Sequence, residues 1–99
     1  MRLTENQRES IKSVVISVIG KESRIWLFGS RLDDSKRGGD IDLLVETEMV
    51  VPGRVDALCQ LEGALPVRLG NRKIDVLLKD ASTADAPIYH AARQTGVLL

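Results

Sequence analysis

The sequence predicts an α/β (α+β) fold: a small mixed or antiparallel sheet, with helices packed on one face and carboxylates on the other. Three observations predict it. Apolar residues recur with helical period over residues 4–19 and again between Pro52 and Pro66, and Asp85 with Pro87 marks a third helix start. Between these helices, residues 24–28, 40–46 and 73–79 form short apolar runs bounded by Gly, Asn or polar loops, as strands are. Two of the three carry aspartates on the side away from their apolar stripe. The order helix–strand–strand–helix–strand–helix in 99 residues leaves room for one domain with one core.

Each element has its own grounds. Thr4 followed by Gln7 is a capping-box pattern. Ile11, Val14, Val15, Val18 and Ile19 then make one stripe, and Gly20 is the expected stop. The β-branched content lowers helix propensity, so burial of the stripe must hold this helix. Residues 24–28 suit a buried strand, with Trp26 and Phe28 expected in the core. Residues 31–39 form a polar loop ending in Gly38 and Gly39. In the second helix Pro52 stands at the first turn, Val55, Leu58, Leu61, Glu62 and Leu65 form the stripe, and Pro66 is the expected end. Cys59, the only cysteine, falls in this pattern and reads as a small core residue. In the third strand Ile74, Val76 and Leu78 share one face, while Asp75 and Leu77 share the other. Ile88, Ala91 and Ala92 form a small-residue stripe in the last helix, Gly96 its stop, and the apolar tail Val97, Leu98, Leu99 adds to the sheet edge or docks on a partner.

The chemistry concentrates in residues 27–46. Asp40 and Asp42 alternate with Ile41, Leu43 and Val45, so the two carboxylates project together, away from the core. Unit charges about 4 Å apart repel by roughly 4 kcal/mol at a surface-like effective dielectric. A divalent cation offsets that repulsion, and magnesium suits it, because it accepts one or two carboxylates and completes its shell with water and phosphate oxygens. If the strand of Asp75 pairs with that of Asp40, three carboxylates cluster. Upstream, the Gly29-Ser30 turn is placed to offer backbone N–H groups to phosphates, with Arg31 beside it.

Gly29-Ser30 at a strand end, followed within one loop by Asp40-Ile41-Asp42, resembles the signature of the polymerase-beta-type nucleotidyltransferase superfamily. The size is most similar to its minimal nucleotidyltransferases, the MNT proteins, and makes residues 1–99 a single minimal nucleotidyltransferase domain. The resemblance implies that Asp40 and Asp42 hold two magnesium ions, that Asp75 completes the second metal site and takes the proton of the attacking hydroxyl, and that Gly29 and Ser30 hold the β- and γ-phosphates of the nucleotide; Arg31, basic and next to the turn, is placed to meet the same triphosphate. It implies transfer of a nucleoside monophosphate, AMP from ATP, to a hydroxyl acceptor. Larger members carry a helical second domain for the acceptor, and the 99 residues here contain none, so the acceptor site is expected on another subunit or protein. MNT proteins are often antitoxins of helical HEPN toxins, which some of them adenylylate. The alternative is a non-catalytic antitoxin that neutralises a HEPN-type partner by contact.

Other classes fare less well. Lys plus Arg equals Asp plus Glu at 14 each, so no basic field points to nucleic acid, although Arg31, Lys36, Arg37, Arg68, Arg72 and Lys73 are the residues such binding would use. The N-terminus lacks the apolar run of a signal peptide, and no stretch approaches the roughly 20 apolar residues of a membrane span, so a cytoplasmic location is expected. A single cysteine fits a reducing compartment. There is no P-loop, and His90, the only histidine, offers no zinc cluster and reads as a surface or structural residue. A homo-oligomer is left open.

Overall fold

A computed structural model describes residues 3–28 and 41–99. Helix α1, Glu5–Val18, begins at the capping box: Gln7 N–H donates to Thr4 Oγ1 at 3.1 Å and Thr4 N–H to Gln7 Oε1 at 2.9 Å. Its stripe of Ile11, Val14 and Val15 is buried, with Val18 and Ile19 packed behind. Strand β1, Arg24–Phe28, pairs antiparallel with β2, Ile41–Glu46. Helix α2, Arg54–Arg68, crosses back so that β3, Ile74–Lys79, runs parallel to β2. Helix α3, Pro87–Thr95, follows, and the tail returns as β4, Val97–Leu98, antiparallel to β1. The mixed sheet thus has the order β3-β2-β1-β4, and of the two fates expected for the tail it takes the sheet edge. Among the described residues no helix is long and apolar enough to cross a membrane.

One face of the sheet makes the core. Ile25 and Leu27, Ile41, Leu43 and Val45, and Ile74, Val76 and Leu78 meet Ile11 and Val15 of α1 and Leu61 and Leu65 of α2, all at most 9% exposed. The other face carries Trp26, Phe28, Asp42, Leu44, Glu46, Asp75, Leu77 and Lys79. Helix α3 meets this second face, which corrects the expectation of helices on one face only: α1 and α2 cover the aliphatic face and α3 the face that carries the aspartates. Arg93 pairs with Glu46, the Lys79 ammonium lies 5.9 Å from the Tyr89 ring centroid, and Ala92 is buried. Gly96 makes the close approach possible: a Cβ there would stand 2.9 Å from the Leu27 carbonyl oxygen and would collide with that of Ala92.

Several local expectations are corrected. Pro66 does not end α2 but sits inside its last turn. Its ring removes the donor to the carbonyl of Glu62, an exposed position where water can replace it. Meanwhile burial of both Leu65 and Leu69, one turn apart, holds the helix on. The Pro66 carbonyl itself accepts from Leu69 N–H and Asn71 N–H, which closes the C-terminus through left-handed Gly70 and Asn71. The buried stripe of α2 is Ala57, Leu61, Leu65 and Leu69, so Val55 is 72% exposed and Cys59, two residues from both Ala57 and Leu61, faces outward. Helix α2 also starts after Pro52, with Gly53 as a left-handed cap. Trp26 and Phe28 are half-buried on the second face rather than in the core, because Ile25 and Leu27 occupy the core side of the same short strand. In α3 only Ala92 of the expected stripe is buried; Ile88 is 51% exposed and Ala91 is exposed.

The phase of α2 is testable by denaturation. Leu61→Ala is expected to cost about 2–5 kcal/mol, as fully buried leucines do. Val55→Ala should stay within about 0.5 kcal/mol, as exposed positions do. A urea midpoint that shifted as much for Val55→Ala as for Leu61→Ala would contradict this packing.

Candidate functional site

The parallel pairing of β2 with β3 creates the site. Its register makes Asp42 and Asp75 direct Cα partners, with Phe28 beside Asp42 on β1. Adjacent strands lie about 4.8 Å apart, so the two carboxylates stand side by side on the second face. Ile41 and Leu43 flank Asp42, Ile74 and Val76 flank Asp75, and all four are buried. A slip of one residue would drive both carboxylates into the core, so burial of these neighbours holds the acidic row outward. Asp42 is half-buried and Asp75 exposed.

The expectation that Asp75 comes beside the aspartate strand is therefore met for Asp42. Asp40, Gly29, Ser30 and Arg31 lie outside the described residues, as do Lys36 and Arg37. Among the described residues no group of three His, Cys, Asp or Glu side chains is gathered as a metal would require. The described part contributes two carboxylates in one row, a donor set of hard oxygens that fits magnesium rather than a soft metal.

Behind this row the second face is tied down by charge. Glu46, the register partner of Arg24 and Lys79, accepts from Arg24 Nε at 3.4 Å and from Arg93. His90 is exposed, as expected, and its Nε2 lies 2.8 Å from Asp85 Oδ2 while Nδ1 lies 3.3 Å from Arg93 Nη2. Since a guanidinium can only donate, Nδ1 accepts and Nε2 carries the proton given to Asp85. That bond is the main reason the Asp85 carboxyl titrates below the usual carboxylate range.

One carboxylate that sequence reasoning missed closes the end of β3. Asp80 is 1% exposed and accepts from Val51 N–H at 2.8 Å, Ser82 N–H at 3.0 Å, Ser82 Oγ at 2.7 Å and Thr83 Oγ1 at 2.9 Å. Arg54 reaches it at 3.4 Å and also donates to the Leu78 carbonyl and to Thr83. Led by the Val51 N–H bond, the donors from Val51, Ser82 and Thr83 hold the carboxyl far below its ordinary pKa against the opposing effect of burial. The signal was present in Asp80-Ala81-Ser82-Thr83, an aspartate at a strand end whose side chain caps its own turn. Asp80 joins the β2–α2 connection to β3 and so secures the strand that carries Asp75.

No protein-family model and no curated protein matches the chain. Solved structures do. A chain from a tyrosine-to-alanine variant of the toxin–antitoxin complex MntA–HpeT is similar with a TM-score of 0.64 at 25% identity, over 93% of this chain and 69% of that one. A chain from a variant of the same complex with two aspartates, two residues apart, changed to glutamate is similar in fold. There the TM-score is 0.67 at 24% identity, over 94% of this chain and 70% of that one. MntA is a minimal nucleotidyltransferase, so the α+β, nucleotidyltransferase-like arrangement expected from the sequence is the one found.

Asp80 links the site's scaffold to pH. Because its folded carboxyl binds the proton more weakly than the unfolded one, its stabilising contribution is complete above the ordinary aspartate pKa of about 3.9 and is lost as pH falls below it. Asp80→Asn should cost about 2–3 kcal/mol at neutral pH, from lost charge-assisted hydrogen bonds. It should also flatten the acid limb of the stability curve measured by urea unfolding; an unchanged limb would show that Asp80 is not the titrating group.

Proposed function

We propose that this chain, whose fold is that of a minimal nucleotidyltransferase, moves AMP from ATP to a hydroxyl acceptor with magnesium at Asp40, Asp42 and Asp75, as the antitoxin of a helical HEPN-type toxin. The observation that carries the reading is the Asp42–Asp75 register pair, two carboxylates drawn from separate strands to one row of the sheet. The likeness to chains of a toxin–antitoxin complex supports the setting.

In this reading Gly29 and Ser30 bind the β- and γ-phosphates through backbone N–H and the serine hydroxyl, and Arg31 adds a positive charge to the same group. The acceptor hydroxyl attacks the α-phosphorus in line with the departing pyrophosphate. Asp75, the exposed member of the pair, receives the hydroxyl proton. Magnesium bound to the carboxylates supplies a lowered pKa for the attacking group and neutralises charge on the leaving oxygens. The rigid β2–β3 pair contributes position, so that no covalent intermediate on the protein is needed. Neutralisation of the toxin by contact alone is the second reading, and it too rests on the neighbours being members of a complex.

Label transfer from α-labelled ATP to the partner toxin is expected to fall on the order of 100-fold or more in Asp42→Asn and in Asp75→Asn, since both remove charge stabilisation from the transition state. Millimolar magnesium should raise the thermal midpoint of the wild type and not that of Asp42→Asn. Undiminished transfer in both variants would overturn the site assignment. Full protection of cells by a transfer-dead Asp42→Asn chain would assign neutralisation to contact.

A further inference from the structure

The edge of the sheet opposite β3 carries a second feature that nucleotidyl transfer does not use. Among the described residues, strand β4 is the outer strand on that side. Successive residues of an antiparallel ladder turn their N–H and C=O to opposite edges. Leu99 N–H donates inward to the Ile25 carbonyl at 2.9 Å, so Leu98 turns its own N–H and C=O outward. Between this edge and α1 runs a cleft of about 230 Å³ whose lining includes Lys12, Ile16, Lys21, Arg24, Leu98 and Leu99. That volume is below the roughly 300–1,000 Å³ of small-molecule clefts. A groove walled by a helix and floored by a strand edge with free backbone groups is the form that accepts an added strand.

Charge selects the occupant. No lining residue is acidic. Arg24 is engaged by Glu46 and Glu48, whereas among the described residues Lys12 and Lys21 have no ion-pair partner. Ile16 and Leu98 are 47% and 50% exposed beside them. The same two lysines would repel a second copy presenting this edge. We infer that the groove between α1 and β4 receives an extended acidic segment of a protein partner, which pairs with Leu98 as a fifth strand and sets carboxylates against Lys12 and Lys21. This inference stands apart from the catalytic reading, because none of its residues belongs to the carboxylate site.

Fluorescence anisotropy of the purified chain tests it, with a labelled peptide alternating leucine and glutamate and a matched peptide alternating leucine and lysine as probes. The glutamate peptide alone should bind, and more weakly at about 300 mM than at about 50 mM salt. The double variant Lys12→Glu, Lys21→Glu should weaken it by about tenfold or more, equivalent to about 1.4 kcal/mol. Arg68→Glu, on the exposed end of α2, should leave it unchanged. Leu98→Pro, which keeps every charge but removes the outward N–H, should abolish binding, with circular dichroism confirming the fold. Equal binding of the two peptides, no binding of either, or indifference to the lysine reversals would overturn the inference. So would sedimentation showing a dimer that Leu98→Pro dissolves, since the occupant would then be a second copy.

Discussion

Parallel strands cannot be joined by a tight turn; the chain must cross from the end of one to the start of the next, and it needs an element to do so. Here β2 and β3 are parallel, and the crossing element is α2. The rest of the molecule depends on that pairing. It requires a helix with one face that can lie on the sheet, which Ala57, Leu61, Leu65 and Leu69 provide. It brings Asp42 and Asp75 to the same level although they are far apart in sequence. It also leaves both ends of the crossover to be secured. The Pro66 carbonyl and left-handed Gly70 and Asn71 close one end, while buried Asp80 with Arg54 closes the other.

The two faces of the sheet are held by different forces. On the α1–α2 side stabilisation is burial of aliphatic area with almost no polar content. On the α3 side it is mixed: Leu44 is wholly buried and Ala92 nearly so, but Glu46 sits between Arg24 and Arg93, and the Lys79 ammonium lies over Tyr89. Removing one arginine would leave a largely buried carboxylate short of a partner, a larger loss than an exposed pair would suggest. A face built this way tolerates an acidic row at one end because the neighbouring row already mixes charge with apolar contact.

Much of this was readable in the residues because the relevant signals are local and redundant. Thr4 and Gln7 announce the first helix from both sides of its cap, and Asp75, alternating with Ile74 and Val76, marks the face of its strand that cannot be buried. That alternation put Asp75 on the face of the aspartate strand's carboxylates, provided the strands paired; the register that sets it opposite Asp42 is seen only in the fold. What was not readable has physical reasons. Apolar residues surround α2 so broadly that Val55 and Cys59 fit a stripe as well as Ala57 does, and only contact with the sheet decides the phase. Local rules set Pro66 as a stop, but tertiary burial of Leu69 outweighs one lost hydrogen bond. In a five-residue strand with four apolar side chains only Arg24, at its end, marks the outward face, so the aromatic pair that shares that face was assigned to the wrong side. Gly29, Ser30, Arg31 and Asp40, which complete the proposed site, lie beyond the described residues.

The placement of Trp26 has an optical consequence. It is the only tryptophan, it has Leu44 and Leu98 as register partners on its two sides, and its indole nitrogen is shielded from solvent with no hydrogen-bond partner among the described residues. An indole in such a setting emits at shorter wavelength than one in water. Nature has therefore installed a single intrinsic fluorophore at the seam between the central strands and the tail, and its colour reports whether that seam is shut.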